Sequence, residues 1–187
     1  MCGNSTEISE VLNKRDSQHL IRMFLNQMQI NKDDFKFERG NFGKPYLLES
    51  VIFFNLSYSD NYIAVVFSRQ EVGIDIEEIS NCKFKIMDRF FTSNEQSYIK
   101  NSNNLNMTNQ RFYEIWTRKE AFIKRDGRGL NIPLRSFDVL INENVPYFNT
   151  IFYNNHIISI CVDKKEEYEI HNLQLDKLDM FECCINN

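Results

Sequence analysis

An amphipathic segment from Arg111 to Arg125 limits the folds that this chain can adopt. Its apolar residues recur at helical spacing, and the Asp126-Gly127 pair that follows is typical of a helix end. These apolar residues are Phe112, Ile115, Trp116, Phe122 and Ile123. Because such a stripe has to be buried against another element, the pattern predicts a helix that lies on a hydrophobic core.

Lys119 falls inside this apolar stripe, where a solvated lysine is not expected. Two explanations are open: the lysine snorkels along apolar surface to reach water, or it marks an anion-binding site. Glu120 and Lys124 lie together on the flank of the stripe. As an ordinary pair one helical turn apart they would contribute only about 0.2–0.5 kcal/mol, so the alternative is a functional role.

A second group of charged residues lies in Val72 to Glu77, whose alternation is typical of a β-strand. Residues two apart share a face of a strand, so Asp75 and Glu77 point to the same side. Neighbouring carboxylates repel each other unless a cation neutralises them, and Mg²⁺ binds through a few carboxylates together with phosphate oxygens. A half-exposed strand with a polar outer face has the same pattern, and this pair alone does not decide between the two.

The remaining patterns alternate helices and hairpins without a βαβ rhythm, which predicts an α+β fold. The helices are predicted at Asp16–Met28, Phe84–Phe91, from a capping box at Thr92–Glu95 through Ile99, and at Arg111–Arg125. The strands are predicted at Phe35–Phe37, Val51–Leu56, Tyr62–Phe67, Val72–Glu77, Phe137–Ile141, Thr150–Tyr153, Ile157–Val162 and Ile170–Leu175. A polar turn is expected at Ser57–Asn61 and an exposed loop at Asn101–Asn109.

Composition narrows the class of protein. The chain of 187 residues is 42% hydrophobic, which is typical of a globular protein, and a net charge of −4 argues weakly against nucleic-acid binding. The apolar run Tyr62–Phe67 is too short to span a membrane, and Met1–Ser5 does not resemble a secretory signal. Five cysteines without metal-binding spacing predict free thiols in the cytoplasm.

Charge is unevenly distributed along the chain. Residues 81–135 carry 11 Lys and Arg against 5 Asp and Glu, whereas residues 136–187 carry 3 against 9. A basic middle could attract an anionic cofactor or an acidic protein, although ordinary solvated helix faces would give the same distribution.

Together the strand and the helix resemble the phosphopantetheinyl transferase superfamily. The family pattern is a GxDxE strand followed, some tens of residues later, by Trp-Ser/Thr-x-Lys-Glu-Ala/Ser-x-x-Lys. Here these motifs are Gly73–Glu77 and Trp116–Lys124. The match is closest to the monomeric surfactin-synthetase-activating type. It is supported by Gly43-Lys44-Pro45, Phe54–Ser57, Arg89-Phe90-Phe91 with Glu95, and Gly127–Leu130.

The resemblance implies two similar α+β lobes related by a pseudo-two-fold axis, here 1–70 and 71–187, with coenzyme A between them. It implies a cytoplasmic, monomeric transferase of the holo-acyl-carrier-protein synthase type. Such an enzyme moves the 4′-phosphopantetheine arm of coenzyme A onto a serine of an apo acyl or peptidyl carrier protein and releases 3′,5′-ADP. No nucleic-acid or membrane partner is implied. The Arg89–Glu95 segment would help to receive the carrier.

The resemblance also assigns roles to individual residues. Asp75, Glu77 and Glu120 would hold Mg²⁺, and Glu120, directly or through a metal-bound water, would take the proton from the carrier serine. Lys119 and Lys124 would contact the phosphates and ease departure of the leaving group. Three cofactor-binding residues, Lys44, Ser57 and Tyr58, would lie at the 3′-phosphate or adenosine end. Trp116 is expected to pack rather than to take part in chemistry.

Three departures fall on the coenzyme A side. Tyr58 stands where the family commonly has histidine, and His19 stands where it has arginine. The chain also begins close to the first helix, before which the family has a strand and basic residues. A phenol donates a hydrogen bond but carries no charge at neutral pH, so we expect weaker coenzyme A binding with intact chemistry.

Two other functions remain open at this point. One is a non-catalytic relative that binds carrier proteins with a weakened coenzyme A site; the complete set of metal-site and lysine residues argues against it. The other is a metal-dependent nuclease, which can also use a DxE strand with a Lys/Glu helix. The acidic net charge and the context of the helix motif disfavour it.

Overall fold

The computed structural model describes residues 20–22, 25, 36–48, 50–60, 62–141 and 146–165, and the backbone of 168–175 and 178–185. The helices are α1 (Phe84–Phe90), α2 (Ser93–Lys100) and α3 (Leu105–Asp126), followed by short 3₁₀ turns at Gly129–Asn131 and Leu134–Ser136. The strands are β1 (Phe37–Arg39), β2 (Pro45–Leu47), β3 (Phe53–Ser59), β4 (Tyr62–Ser68), β5 (Val72–Glu78), β6 (Tyr147–Tyr153), β7 (His156–Val162), β8 (Tyr168–Leu175) and β9 (Leu178–Ile185). The predicted α+β class is confirmed.

The chain divides into two compact units. One comprises Met1–Glu38 with Tyr46–Ser50, and the other comprises Arg39–Pro45 with Val51–Asn187. In the first, the predicted helix Asp16–Met28 lies mostly outside the described residues, although 20–22 and 25 are helical. The predicted boundary between lobes 1–70 and 71–187 falls inside the second unit, and that two-lobe division stays a prediction.

Two sheets organise the second unit. The four-stranded sheet has the order β3-β4-β9-β8, in which β4 and β9 run parallel and the other neighbours are antiparallel. The three-stranded sheet has the order β5-β7-β6 and is antiparallel throughout. One buried apolar cluster joins β4, β5 and β7; its members are Ala64, Val66, Val72, Ile74, Ile76, Ile158, Ile160 and Val162. Since apolar burial is the main source of stability, this cluster holds β5 firmly from one side.

The hairpin β3–β4 is longer than predicted. Ser57, Tyr58 and Ser59 continue the strand, whereas a turn had been expected from Ser57 onward. The chain reverses instead at Asp60, whose positive φ of 49° is a conformation that aspartate tolerates better than most residues. A tight turn of this kind needs only the residues between the strands, so the polar serines are free to line a strand face.

The helical region differs from expectation at two points. The stretch Asn101–Asn109 is not all loop, because α3 starts at Leu105 and the side chain of Asn104 caps it by accepting from the Met107 N–H. The predicted strand Phe137–Ile141 does not form. The Val139 N–H donates to the Glu95 carboxylate instead of to a neighbouring strand. None of the helices in the described part of the chain is long and apolar enough to cross a membrane.

A close crossing brings α3 onto β5. A Cβ atom built on Gly73 would lie 2.0 Å from the carbonyl oxygen of Ala121 and 2.4 Å from the backbone nitrogen of Arg125. Both atoms are helix backbone and cannot rotate away. Gly73 is therefore needed because α3 passes directly over this position of the strand.

We expect Gly73→Ala to lower the free energy of unfolding by at least about 1–3 kcal/mol, because the helix has to shift away from the strand. Urea unfolding of the purified chain measures this. Gly40→Ala is the matched control, since a Cβ there would meet nothing closer than the Lys44 carbonyl oxygen at 3.7 Å. Equal stabilities of the two variants would contradict the close crossing.

Candidate active site

Strand β5 and helix α3 bring most of the predicted site residues together. The strand is buried along Val72–Ile76, and its residue Asp75 is only 4% exposed. Helix α3 supplies Glu120 and Lys124 above the strand, one turn apart. The close crossing at Gly73 explains why the strand motif and the helix motif meet, which spacing in the sequence could not show.

The carboxylate of Asp75 is the centre of the site. Its Oδ1 accepts from the Ser57 hydroxyl at 2.9 Å and from the Lys124 ammonium at 2.7 Å. Its Oδ2 is buried and has no hydrogen-bond partner among the described residues. Burial raises the pKa of this carboxyl, and the charge and hydrogen bond of Lys124 oppose that rise.

Glu77 lies on the same face of β5. Its Oε1 accepts from the indole N–H of Trp116 at 3.2 Å. Burial raises the pKa of Glu77, and the neighbouring charge of Asp75 raises it further. Trp116 packs against the core as predicted, and its indole N–H also holds the Glu77 carboxylate. The signal was present in the sequence, because a half-buried indole N–H usually finds an acceptor.

Glu120 is the third carboxylate of the site, and Asp75, Glu77 and Glu120 together form the acidic group. Burial raises its pKa to about 7, with Asp75 and Glu77 adding to the shift and Lys124 opposing it. The charges of Asp75 and Lys124 thus act on both Glu77 and Glu120, so these side chains form one electrostatic group. An acid whose pKa lies near neutrality can exchange a proton at physiological pH.

The donor set fits a divalent cation in its chemistry. Among the described residues, no three acidic, histidine or cysteine side chains are grouped closely enough to hold a metal as they stand. Within the same residues, however, Asp75 Oδ2 is buried and has no hydrogen-bond partner, so a positive partner would satisfy it. A hard cation would be such a partner. It would also relieve the repulsion from Asp75 that, after burial, raises the pKa of Glu77 and Glu120.

Lys119 occupies a different environment from the one predicted. The side chain is fully buried, and its Nζ lies 2.9 Å from the Glu95 carboxylate. The same Nζ donates to the carbonyl oxygens of Leu134 and Phe137, each at 2.7 Å. An ammonium has three protons, and all three have acceptors. The predicted contact of Lys119 with phosphates is therefore at odds with this placement.

The Lys119–Glu95 pair joins three segments instead. Glu95 is the third residue of α2, and its side chain completes the predicted capping box by accepting from the Thr92 N–H. Its other oxygen accepts from the Val139 N–H. Because Lys119 belongs to α3, the pair ties α2, α3 and the 134–139 segment together. Sequence reasoning placed Glu95 near a carrier surface, but the residue is completely buried.

Lys44 also has a full set of partners. Its Nζ contacts the Glu71 carboxylate at 2.7 Å and the carbonyl oxygens of Arg125 and Val72 at 2.8 and 3.2 Å. Lys44 therefore links its loop to the end of α3 and the start of β5. The other two residues predicted to bind coenzyme A lie apart from each other. Ser57 is buried beside Asp75, whereas Tyr58 points to the opposite strand face and is 42% exposed.

Comparison with known proteins identifies the family of this chain. The family model for the 4′-phosphopantetheinyl transferase superfamily matches residues 71–175, which include β5 and α3. The chain belongs to this superfamily. The family predicted from the two motifs is thus confirmed, and the match covers the residues that build the acidic group.

Individual members of the superfamily are similar over longer stretches. The 4′-phosphopantetheinyl transferase gsp of Aneurinibacillus migulanus is 34% identical over 88% of this chain and 65% of its own length. The 4′-phosphopantetheinyl transferase Sfp of Bacillus subtilis strain 168 is 35% identical over 67% of this chain and 56% of its own length. An L-aminoadipate-semialdehyde dehydrogenase-phosphopantetheinyl transferase of Saccharomyces cerevisiae is 26% identical over 72% and 58%. The chain therefore spans between half and two thirds of the length of these relatives.

Lys119→Met tests the buried ion pair. We expect the free energy of unfolding to fall by about 3–5 kcal/mol, because the Glu95 carboxylate is left buried without its cation. Adding Glu95→Gln should recover part of this loss, since an amide leaves no charge unpaired. Urea unfolding of the single and double variants measures both effects. A Lys119→Met protein as stable as the parent would contradict the structural role.

The raised pKa of Glu120 predicts a pH dependence of stability in the metal-free protein. Between 4.5 and about 7 the native carboxyl keeps a proton that the unfolded one has lost. The native state then binds more protons, so the contribution of Glu120 is present below 4.5 and is lost as pH rises through about 7. The change in the free energy of unfolding caused by Glu120→Gln should therefore be more favourable at pH 8 than at pH 4.5. Unfolding with a chelator present measures this, and parallel pH profiles would contradict it.

Proposed function

We propose that this chain transfers the 4′-phosphopantetheine arm of coenzyme A to a serine of an apo acyl or peptidyl carrier protein. The observation that carries the proposal is the acidic group itself. Asp75 presents a buried carboxylate oxygen that has no hydrogen-bond partner in the described part of the chain; its charge acts on Glu77 and Glu120 nearby, and Lys124 is its cation. Membership of the superfamily and the names of the similar transferases support the same reaction.

The proposed cofactor is Mg²⁺, held by Asp75, Glu77 and Glu120. When bound, Mg²⁺ would neutralise the pyrophosphate oxygens of coenzyme A and so lower the barrier to attack at phosphorus. A hard cation suits this set because all of its protein ligands are carboxylate oxygens.

The chain's own residues supply the proton transfer and the charge. We assign Glu120 as the base that accepts the proton of the carrier serine hydroxyl, because its carboxylate belongs to the group beside which the phosphates would bind. The serine oxygen forms a bond to the phosphorus that carries the pantetheine arm, and the bond from that phosphorus to the bridging oxygen of 3′,5′-ADP breaks. Lys124, with its side chain 29% exposed, can take up negative charge on the departing phosphate.

The coenzyme A side is proposed to use Lys44 and Tyr58 near the 3′-phosphate or adenosine end. Lys44 would have to exchange at least one of its present acceptors for a phosphate oxygen. The Glu71 carboxylate is half exposed, so its ion pair with Lys44 is the contact whose loss would destabilise the protein least. Tyr58 offers a phenol at an exposed position.

The face of α1 is proposed to receive the carrier. Lys85 and Arg89 are exposed on this helix, and Phe84 at its first position is 54% exposed, although it is a large apolar side chain. A basic surface with an apolar contact suits an acidic carrier protein. Unpaired thiols at Cys82 and Cys161 support a reducing, cytoplasmic setting, in which we expect the chain to act as a monomer.

A direct assay tests the reaction. Incubation with an apo carrier protein, coenzyme A and Mg²⁺ should increase the carrier mass by one phosphopantetheine group, as measured by mass spectrometry. Asp75→Asn and Glu120→Gln should each reduce transfer to background, because they remove a metal ligand or the base. Glu114→Gln is the matched control on α3, since its partners are Arg118 and Tyr98 outside the acidic group.

The alternatives give different results in the same experiment. Carrier binding without any mass gain, across several carriers, would replace the proposal with a non-catalytic carrier-binding protein. Nicking of DNA with Mg²⁺ would replace it with a nuclease. Full transfer by Asp75→Asn or Glu120→Gln would overturn the metal and base assignments.

A further inference from the structure

Two sheet edges face each other next to the acidic group. Among the described strands, β3 is an edge strand of the sheet β3-β4-β9-β8, and β5 is an edge strand of the sheet β5-β7-β6. The two strands are not paired through their backbones, yet polar side chains of β3 reach across to β5. These side chains belong to Asn55, Ser57 and Ser59, which alternate along β3 and therefore share one face.

Each of the three makes one specific contact with β5. The Asn55 side-chain oxygen accepts from the Ile74 N–H at 2.9 Å, in a buried environment. The Ser59 hydroxyl accepts from the Glu78 N–H at 3.0 Å. Between them, the Ser57 hydroxyl donates to Asp75 Oδ1. The outer two contacts satisfy strand amides, whereas the central one alone reaches a side chain of the acidic group.

The hydrogen bonds of Ser57 are directed inward. The residue is 5% exposed. Its single proton is given to Asp75 Oδ1, and its oxygen accepts from Lys124 Nζ at 2.7 Å. Lys124 donates to the same Oδ1, so Ser57, Lys124 and Asp75 close a triangle of hydrogen bonds. In this arrangement the Ser57 hydroxyl has no proton left for a phosphate.

The triangle has a consequence for Asp75. Oδ1 receives two donors, whereas Oδ2 receives none among the described residues, although both oxygens are buried on one side chain. Because the plane of the carboxylate is set by its bonds at Oδ1, the direction of Oδ2 is set as well. A ligand oxygen whose direction is fixed before the cation arrives loses less entropy on binding.

We propose that Ser57 is a positioning residue, which orients Asp75 so that Oδ2 is kept for a divalent cation, and that it is not a contact for the 3′-phosphate of coenzyme A. This inference deepens the proposed function and rests on it for the identity of the cation. Ser57 acts through Asp75 and Lys124 and touches neither substrate nor metal.

Metal binding by the full chain tests the role directly. In calorimetric titrations with Mg²⁺ alone, Ser57→Ala should raise the dissociation constant about 10- to 100-fold, as loss of a hydrogen-bond partner of a metal ligand does elsewhere. Ser57→Thr retains the hydroxyl and should restore affinity to within a few-fold of the parent. Ser59→Ala is the matched control, because it removes the neighbouring serine contact without touching a carboxylate. Thermal unfolding verifies that each variant is folded.

Transfer kinetics separate the two roles of Ser57. Ser57→Ala should lower kcat and raise the Mg²⁺ concentration that gives the half-maximal rate. Each change should be equally large with coenzyme A and with 3′-dephospho-coenzyme A as the substrate. Its KM for coenzyme A should stay within about two-fold of the parent. A KM increase confined to the substrate with the 3′-phosphate, with unchanged Mg²⁺ affinity, would overturn the inference.

Failure of the proposed function has a separate signature. A parent protein that binds Mg²⁺ but modifies no carrier would contradict the transferase, while the comparison of Ser57→Ala with Ser59→Ala in calorimetry would still decide the positioning role. A parent that binds no Mg²⁺ would overturn the positioning role itself, because Asp75 Oδ2 would then have no cation to receive.

Discussion

The crossing of α3 over Gly73 is the constraint on which the site depends. Without a side chain at this position, the helix backbone approaches β5 closely enough for Lys124 to reach Asp75. The same approach brings Glu120 into the field of both strand carboxylates. The opposite face of β5 packs in the apolar cluster with β4 and β7, so the strand cannot retreat from the helix.

Two lysines on one helix therefore lie in different environments. Lys119 is fully buried, forms an ion pair with Glu95 and donates to two backbone carbonyls. These contacts hold α2, α3 and the 134–139 segment together and form the framework beside the site. Lys124, five residues later, is partly exposed and ends on Asp75. A helix turns by about 100° per residue, so five residues carry the side chain to a different face. The difference between framework and site follows from that rotation.

Much of the secondary structure followed from local patterns. The strand β5, the capping box at Thr92 and the end of α3 at Gly127 all follow from residues a few positions apart. The errors arose where a distant partner decided the outcome. The Val139 N–H has its acceptor on Glu95, 44 residues earlier, so a segment with strand-like residues forms no strand. The turn at Asp60 is a local exception: it is shorter than predicted and leaves Ser57 within β3.

The GxDxE strand and the Trp-Thr-x-Lys-Glu helix, in that order, were enough to determine the superfamily from the sequence. They also predicted Asp75, Glu77, Glu120 and Lys124 as candidate site residues, because a motif specifies which chemical groups are present. Only the tertiary structure decided what those groups face. It placed Lys119 in the core and Ser57 against Asp75, and it left Asp75 Oδ2 without a partner among the residues that the structure describes. The physical reason is that burial and hydrogen-bond partners are set by segments distant in the chain, and a local pattern carries no information about them.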